Sequence, residues 1–173
     1  AVDLVVTELG SRGEDDADVQ TGLGIYYRHR LKDWNTSLAH FNRARALAPG
    51  SGDVLTFMVP VVVALGRFEE GLRLAKQAAL LDPRSSSGLI RVGRVFNFLR
   101  QYDSADVYLA RAFGVPEGPP WFGYLERALV AALQGDLANS WSLFSRLEPD
   151  RRLGNAGAVA AAYLQPWLLD ATT

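Results

Sequence analysis

Between Val54 and Val63 the apolar residues fall into helical stripes. Leu55, Met58, Val59 and Val62 stand at i, i+3, i+4 and i+7, the spacing of one buried helix face, while Thr56, Pro60 and Val63 fall on another. The same stretch reads "MVPVVVALG" from Met58 to Gly66, and its valines favour a pleated strand over a helix. Local propensity is weak enough for tertiary packing to override it. The wider pattern decides for the helix.

That pattern has a period of 34 residues. Trp34, Phe68 and Tyr102 are aromatic at that interval (68 − 34 and 102 − 68), and Ala44, Ala78 and Ala112 keep step with them. So do Leu47, Leu81 and Val115, and the small residues Ser37, Gly71 and Ala105. Pro49 and Pro83 share the spacing, and Pro116 comes one residue early. A fourth, degraded copy slips by one at Gly135, Leu137, Ser140, Phe144 and Leu147. Each column has a physical use. A small residue lets two helix axes cross closely. An aromatic after the turn fills the space between the paired helices, worth roughly 1.5–3 kcal/mol when buried. A closing proline cannot continue a helix and ends it. "Asn35-Thr36-Ser37" and "Asp103-Ser104" are expected to supply N-caps where the second helix of a copy begins.

The second copy, "ALGRFEEGLRLAKQAALLDP", places Gly, aromatic, small residue, alanine and "LDP" in the order of the tetratricopeptide repeat, a helix–turn–helix unit of 34 residues, which it resembles. The third supplies "GLIRVGRVFNFLRQYDSADVYLARAFGVP", with Gly93 at the small position of helix A. The first, "GLGIYYRHRLKDWNTSLAHFNRARALAP", has one extra residue, expected in its turn. The resemblance implies an all-α fold, a right-handed α-solenoid of three clear repeats and one degenerate repeat with a C-terminal helix. The copies run 16–50, 51–84, 85–118 and 119–152. Residues 1–15 are expected to form a helix or the remnant of a preceding repeat, and 153–173 a capping helix.

The resemblance further implies a non-enzymatic module that binds a partner protein or peptide along a concave groove lined by the A helices. Carried over column by column, the groove residues are Thr21, Ile25, Arg28 and His29 from the first copy and Thr56, Pro60 and Val63 from the second. The third gives Ile90, Arg91, Arg94, Asn97 and Phe98, and the fourth Leu125 and Leu129. The family's carboxylate-gripping lysines and asparagines correspond here to Thr21, Ile25, Phe57, Ser87 and Arg91, of which only Arg91 is charged. Binding of chaperone tails is therefore not expected. Arg91 and Arg94, three apart, could face an acidic group on the partner, or Arg94 could pair with Glu126 instead. Pro60 removes a donor inside its helix and either widens the groove or is a tolerated kink. The wording of the second and third copies is also similar to repeat tracts of bacterial signalling proteins, such as nucleotide cyclases and transcriptional activators.

Composition narrows the remaining classes. A formal net charge of −1 gives no basic excess for nucleic acid, and no apolar run reaches the ~18 residues that span a bilayer. Cysteine is absent, which removes thiolate chemistry and disulfides. The two histidines, His29 and His40, lie on different predicted helices without carboxylates at ligand spacing, so no metal or cofactor is expected. "GEDDAD" (13–18) lacks the alternation of a calcium loop and suits the first turn of a helix. The competing function is a small-molecule sensor or enzyme using His29, Tyr26 and Tyr27, which lacks a base–orienter pair. The opening "AVDLVV", without methionine, points to a mature form or a piece of something longer. The cytoplasm is the expected compartment, with the periplasm open if a signal peptide was removed. Tyr163, Leu164, Trp167, Leu168 and Leu169 would need cover from the last repeat, another domain or a second copy.

Overall fold

The valine-rich segment is helical. In the computed structural model, which describes residues 15–116, 118 and 121–146, α3 spans Gly52–Ala64 with Pro60 inside it. Val54, Leu55, Met58, Val59, Val61 and Val62 are all buried along it. Burial of that face outweighs the valines' small intrinsic cost in a helix.

The other helices are α1 (Ala17–Tyr26), α2 (Trp34–Leu47), α4 (Phe68–Leu81), α5 (Ser86–Phe98), α6 (Tyr102–Phe113), α7 (Trp121–Leu133) and α8 (Leu137–Ser145). No strand occurs among the described residues. The chain divides between Pro83 and Arg84 into two units. In the first, α1 packs on α2, α2 on α3 and α3 on α4. In the second, α5 packs on α6, α6 on α7 and α7 on α8. Each unit thus consists of helix–turn–helix pairs, and the fold is an all-α helical repeat of the solenoid class. The expected helices at 1–15 and 153–173 lie outside the described residues, apart from Asp15, and the end of the fourth copy beyond Arg146 does so too.

The turns inside the pairs repeat one backbone device. A left-handed residue stands two positions before each second helix: Lys32 (φ 56), Gly66 (φ 77), Arg100 (φ 57) and Gly135 (φ 85). In three of the pairs its N–H bonds three residues back, Gly66 to Val63, Arg100 to Asn97 and Gly135 to Ala132. The next N–H bonds five back, as in Arg67 to Val62, Gln101 to Phe96 and Asp136 to Ala131. This is the Schellman ending, which satisfies carbonyls that a terminating helix would otherwise orphan.

The first pair departs from this pattern. Its extra residue sits in helix A, absorbed by a π-helical segment over Tyr27–Leu31, and not in the turn as expected from sequence. The turn bond consequently spans six residues, from Asp33 N–H to the Tyr27 carbonyl. The expected caps also change. Asp33 caps α2 by accepting from Thr36 N–H at 3.0 Å, whereas Ser37 is fully buried and donates to the Gly24 carbonyl at 2.7 Å. The fourth pair repeats that contact, Ser140 to the Ala128 carbonyl at 2.8 Å. Helix α6 starts at Tyr102 without a side-chain cap, and Asp103 instead accepts from Gln134 at 3.0 Å. The small residues at the crossings are needed for space. An added Cβ on Gly24 would lie 2.9 Å from Phe41, and one on Gly93 only 2.7 Å from Leu109.

Candidate functional site

In the first unit, the A helices α1 and α3 bring two local irregularities together. The π-helical segment carries Arg28, and α3 carries Pro60, whose missing N–H leaves the Thr56 carbonyl without its usual donor. Arg28 Nη1 reaches across to donate to the carbonyl of Phe57, the neighbouring residue in that interrupted turn, at 3.2 Å. Its Nη2 donates to Nε2 of His29, which fixes the His29 proton on Nδ1. Only 9% of Arg28 is exposed, and burial pulls its guanidinium below its ordinary pKa.

Around this core the expected groove residues divide. His29 is exposed, while Ile25, Pro60 and Val63 are half-buried. The hydroxyls of Thr21 and Thr56 turn back onto their own helices, to Ala17 at 2.7 Å and Gly52 at 2.9 Å. Behind the face, Gln20 is buried and accepts from His40 Nδ1 at 2.8 Å. Tyr27 stacks on the His40 ring with centroids 5.2 Å apart. Burial, with the nearby Arg43 charge second, lowers the His40 pKa. This Gln20–His40–Tyr27 network was not anticipated. Its signal was the odd interval from Gly24 to Ser37, 13 residues (37 − 24) against 12 from Gly93 to Ala105 (105 − 93).

In the second unit the expected set is corrected at several positions. Ile90 is 1% exposed and belongs to the core, not to an accessible surface. Leu125 and Leu129 pack against the cluster of Ala128, Leu143 and Phe144. Arg94 does not stand ready beside Arg91 for an acidic partner. Both its Nε and Nη2 contact one carboxylate oxygen of Glu126, which is itself buried. Arg91 and Asn97 are half-buried, the Asn97 Oδ1 has no hydrogen-bond partner, and Phe98 is 55% exposed. Among the described residues no three His, Asp or Glu gather at metal-binding distance. At "GEDDAD", Asp16 caps α1, accepting from Asp18 and Val19 N–H. No described helix is long and apolar enough to cross a membrane.

Helix pairs with a small residue at each crossing and a left-handed turn define a tetratricopeptide-repeat fold. Solved structures of that fold superpose on the chain. A thermophilic tetratricopeptide-repeat protein of Thermus thermophilus, TTC0263, aligns with a TM-score of 0.77 at 18% identity, covering 92% of this chain and 90% of that one. MamA from Desulfovibrio magneticus RS-1 (residues 41 to the end) gives 0.68 at 12% identity, covering 87% and 84%. The first such domain of Spaghetti (RPAP3), solved with an HSP90 peptide, gives 0.62 at 14% identity, covering 70% and 95%. At these identities the likeness is one of fold. No protein-family profile matches the sequence, and no curated protein matches it significantly.

Proposed function

We propose that the chain is a non-enzymatic interaction module that holds a segment of a partner protein against the helix-A faces of its repeats. The observation that carries this reading is the first unit's face, where Arg28 is anchored to α3 beside an exposed His29 and half-buried Ile25, Pro60 and Val63. Such a mixture of an oriented cation, apolar walls and hydrogen-bonding groups suits an extended polypeptide. The peptide held by the Spaghetti domain shows that the fold supports this use in another protein. In the second unit the proposed surface comprises Arg91, Asn97 and Phe98. An asparagine side-chain oxygen without a hydrogen-bond partner, next in sequence to an exposed aromatic, favours a peptide backbone N–H beside an apolar side chain.

Affinity capture from native extract with the full chain, followed by mapping of the captured partner onto overlapping peptides, tests the proposal. A defined peptide should bind saturably, and its binding should weaken on Val63→Asp or Phe98→Asp, which leave the core untouched. Saturable binding indifferent to both substitutions would place the contact elsewhere and overturn the reading.

A further inference from the structure

Arg28 presents an unbalanced charge. It is nine-tenths buried, and arginine is rarely so buried without a counter-ion, because the desolvation of the guanidinium must be offset. Its two hydrogen-bond acceptors, the Phe57 carbonyl and the His29 imidazole, are both neutral as they accept. Its Nε finds no acceptor at all. The described ion pairs neutralise other arginines: Arg94 by Glu126, Arg127 by Asp106, Arg67 by Glu70 and Arg43 by Asp15. Arg28 takes part in none of them. Desolvation without compensation is also what depresses its pKa.

We infer that Arg28 is a recognition site for a single carboxylate of a partner polypeptide, supplied by an Asp or Glu side chain or by a C-terminus. This rests on the proposed role as an interaction module and specifies the chemistry of its first-unit face. The position is distinct from the Arg91/Arg94 pair that the sequence singled out. The incoming carboxylate takes the Nη2 donor now satisfied by His29, which is exposed and lies on the same segment. The exchange replaces a neutral acceptor by a charged one, and charge-assisted bonds of this kind are roughly twice as strong as neutral ones. The Phe57 carbonyl meanwhile holds the guanidinium in place, so little ordering remains to be done on binding. One guanidinium in a desolvated setting is balanced by one negative charge. A phosphate dianion would leave an excess charge there, which argues for a carboxylate.

The test uses the full chain, labelled with nitrogen-15, and three probes at low ionic strength: Ac-Ala-Glu-Ala-amide, Ac-Ala-Gln-Ala-amide and Ac-Ala-Ala-Ala with a free C-terminus. The Arg28 Nε–Hε signal, identified by its loss in Arg28→Lys, should shift saturably with the glutamate peptide, the free acid or both. The apparent affinity should be at least about tenfold better than for the glutamine peptide, the contrast expected when a charged acceptor replaces a neutral one. A response to the first alone assigns a side-chain carboxylate, and to the free acid alone a C-terminal one. No shift at Arg28, or equal shifts with all three probes, overturns the assignment. Equal shifts of the Thr21–His29 amides with all three would do so while leaving peptide binding intact, so the two failures are separable. The comparison between probes is made on the unmodified protein and does not depend on a variant folding.

Discussion

Gly22 and Gly24 lie two residues apart in α1, and the same substitution should act on them in opposite directions. A Cβ added at Gly22 meets nothing within 4 Å, whereas one at Gly24 would lie 2.9 Å from Cζ of Phe41 and 3.0 Å from Cδ1 and Cδ2. Carbon atoms rest comfortably about 3.5–4.0 Å apart, so the ring would have to retreat by about half an ångström or more. Phe41 is fully buried and has no free space to retreat into. Both Gly→Ala changes gain about 1 kcal/mol of helix propensity. Gly22→Ala is therefore expected to stabilise by up to about 1 kcal/mol. Gly24→Ala also incurs overpacking of about 1–3 kcal/mol, leaving it between neutral and about 2 kcal/mol destabilised. The propensity gain cancels in the difference between the two variants, which isolates the steric cost at about 1–3 kcal/mol. Urea unfolding followed by far-UV circular dichroism reads that difference from the midpoints if the slopes agree. Adding Phe41→Leu to Gly24→Ala should recover part of the loss, as expected for coupled neighbours. If Gly24→Ala stabilises as much as Gly22→Ala, the close crossing of α1 and α2 is not what requires glycine there.

The left-handed turns give a second pair of opposites. Arg100→Gly should stabilise by up to about 1 kcal/mol, since a non-glycine residue there costs about 1–2 kcal/mol and glycine's extra chain entropy returns only about half of it. Gly135→Ala should destabilise by about 1 kcal/mol in the same thermal unfolding assay. Arg94→Ala leaves the Glu126 carboxylate buried without its partner, and should cost about 3 kcal/mol, the low end for a broken buried pair because Arg94 is 30% exposed; Glu126→Gln in that background should restore part of it in chemical denaturation. His40 has a lowered pKa in the fold, so the unfolded chain binds the proton more readily. The stability it contributes is present above its ordinary pKa of 6.5 and lost as pH falls through that value towards the folded one. Midpoints measured on either side should show this fall, and His40→Gln should flatten it.

The repeat was legible because its columns record packing needs that recur wherever two helices cross. Ala44, Ala78 and Ala112 are 0%, 3% and 0% exposed, and so the alanine column marks true interior. Recurrence alone did not distinguish inside from outside, however: Leu47 and Leu81 keep the same period and are 39% and 46% exposed. The aromatic column, Trp34, Phe68 and Tyr102, begins the second helix of each pair and is only half-buried. Cap positions were misplaced because short polar residues compete for one role; Ser37 found a buried carbonyl, and Asp33, directly after the left-handed Lys32, took the cap. At the site, the sequence placed Arg28 on the right face but could not reveal its charge balance, because no interval announces which carboxylate is out of reach. The Arg94–Glu126 pair was readable as an alternative, since residues on adjacent helices with opposite charge invite it. The π-helical segment showed itself only as an insertion of one residue, and an insertion does not say where the chain will take up the slack.

That segment has a consequence for how such a chain can change. An α-helix advances about 100° of azimuth per residue, so one added residue would normally rotate everything downstream away from its contacts. A wider turn lets the addition bulge locally while α2 keeps its seat against α1. New side chains can therefore be introduced on the outer rim of a repeat without renegotiating the crossing beneath it, and excising one residue between Tyr27 and Leu31 should swing the Arg28 side chain off α3 while the helix pair persists.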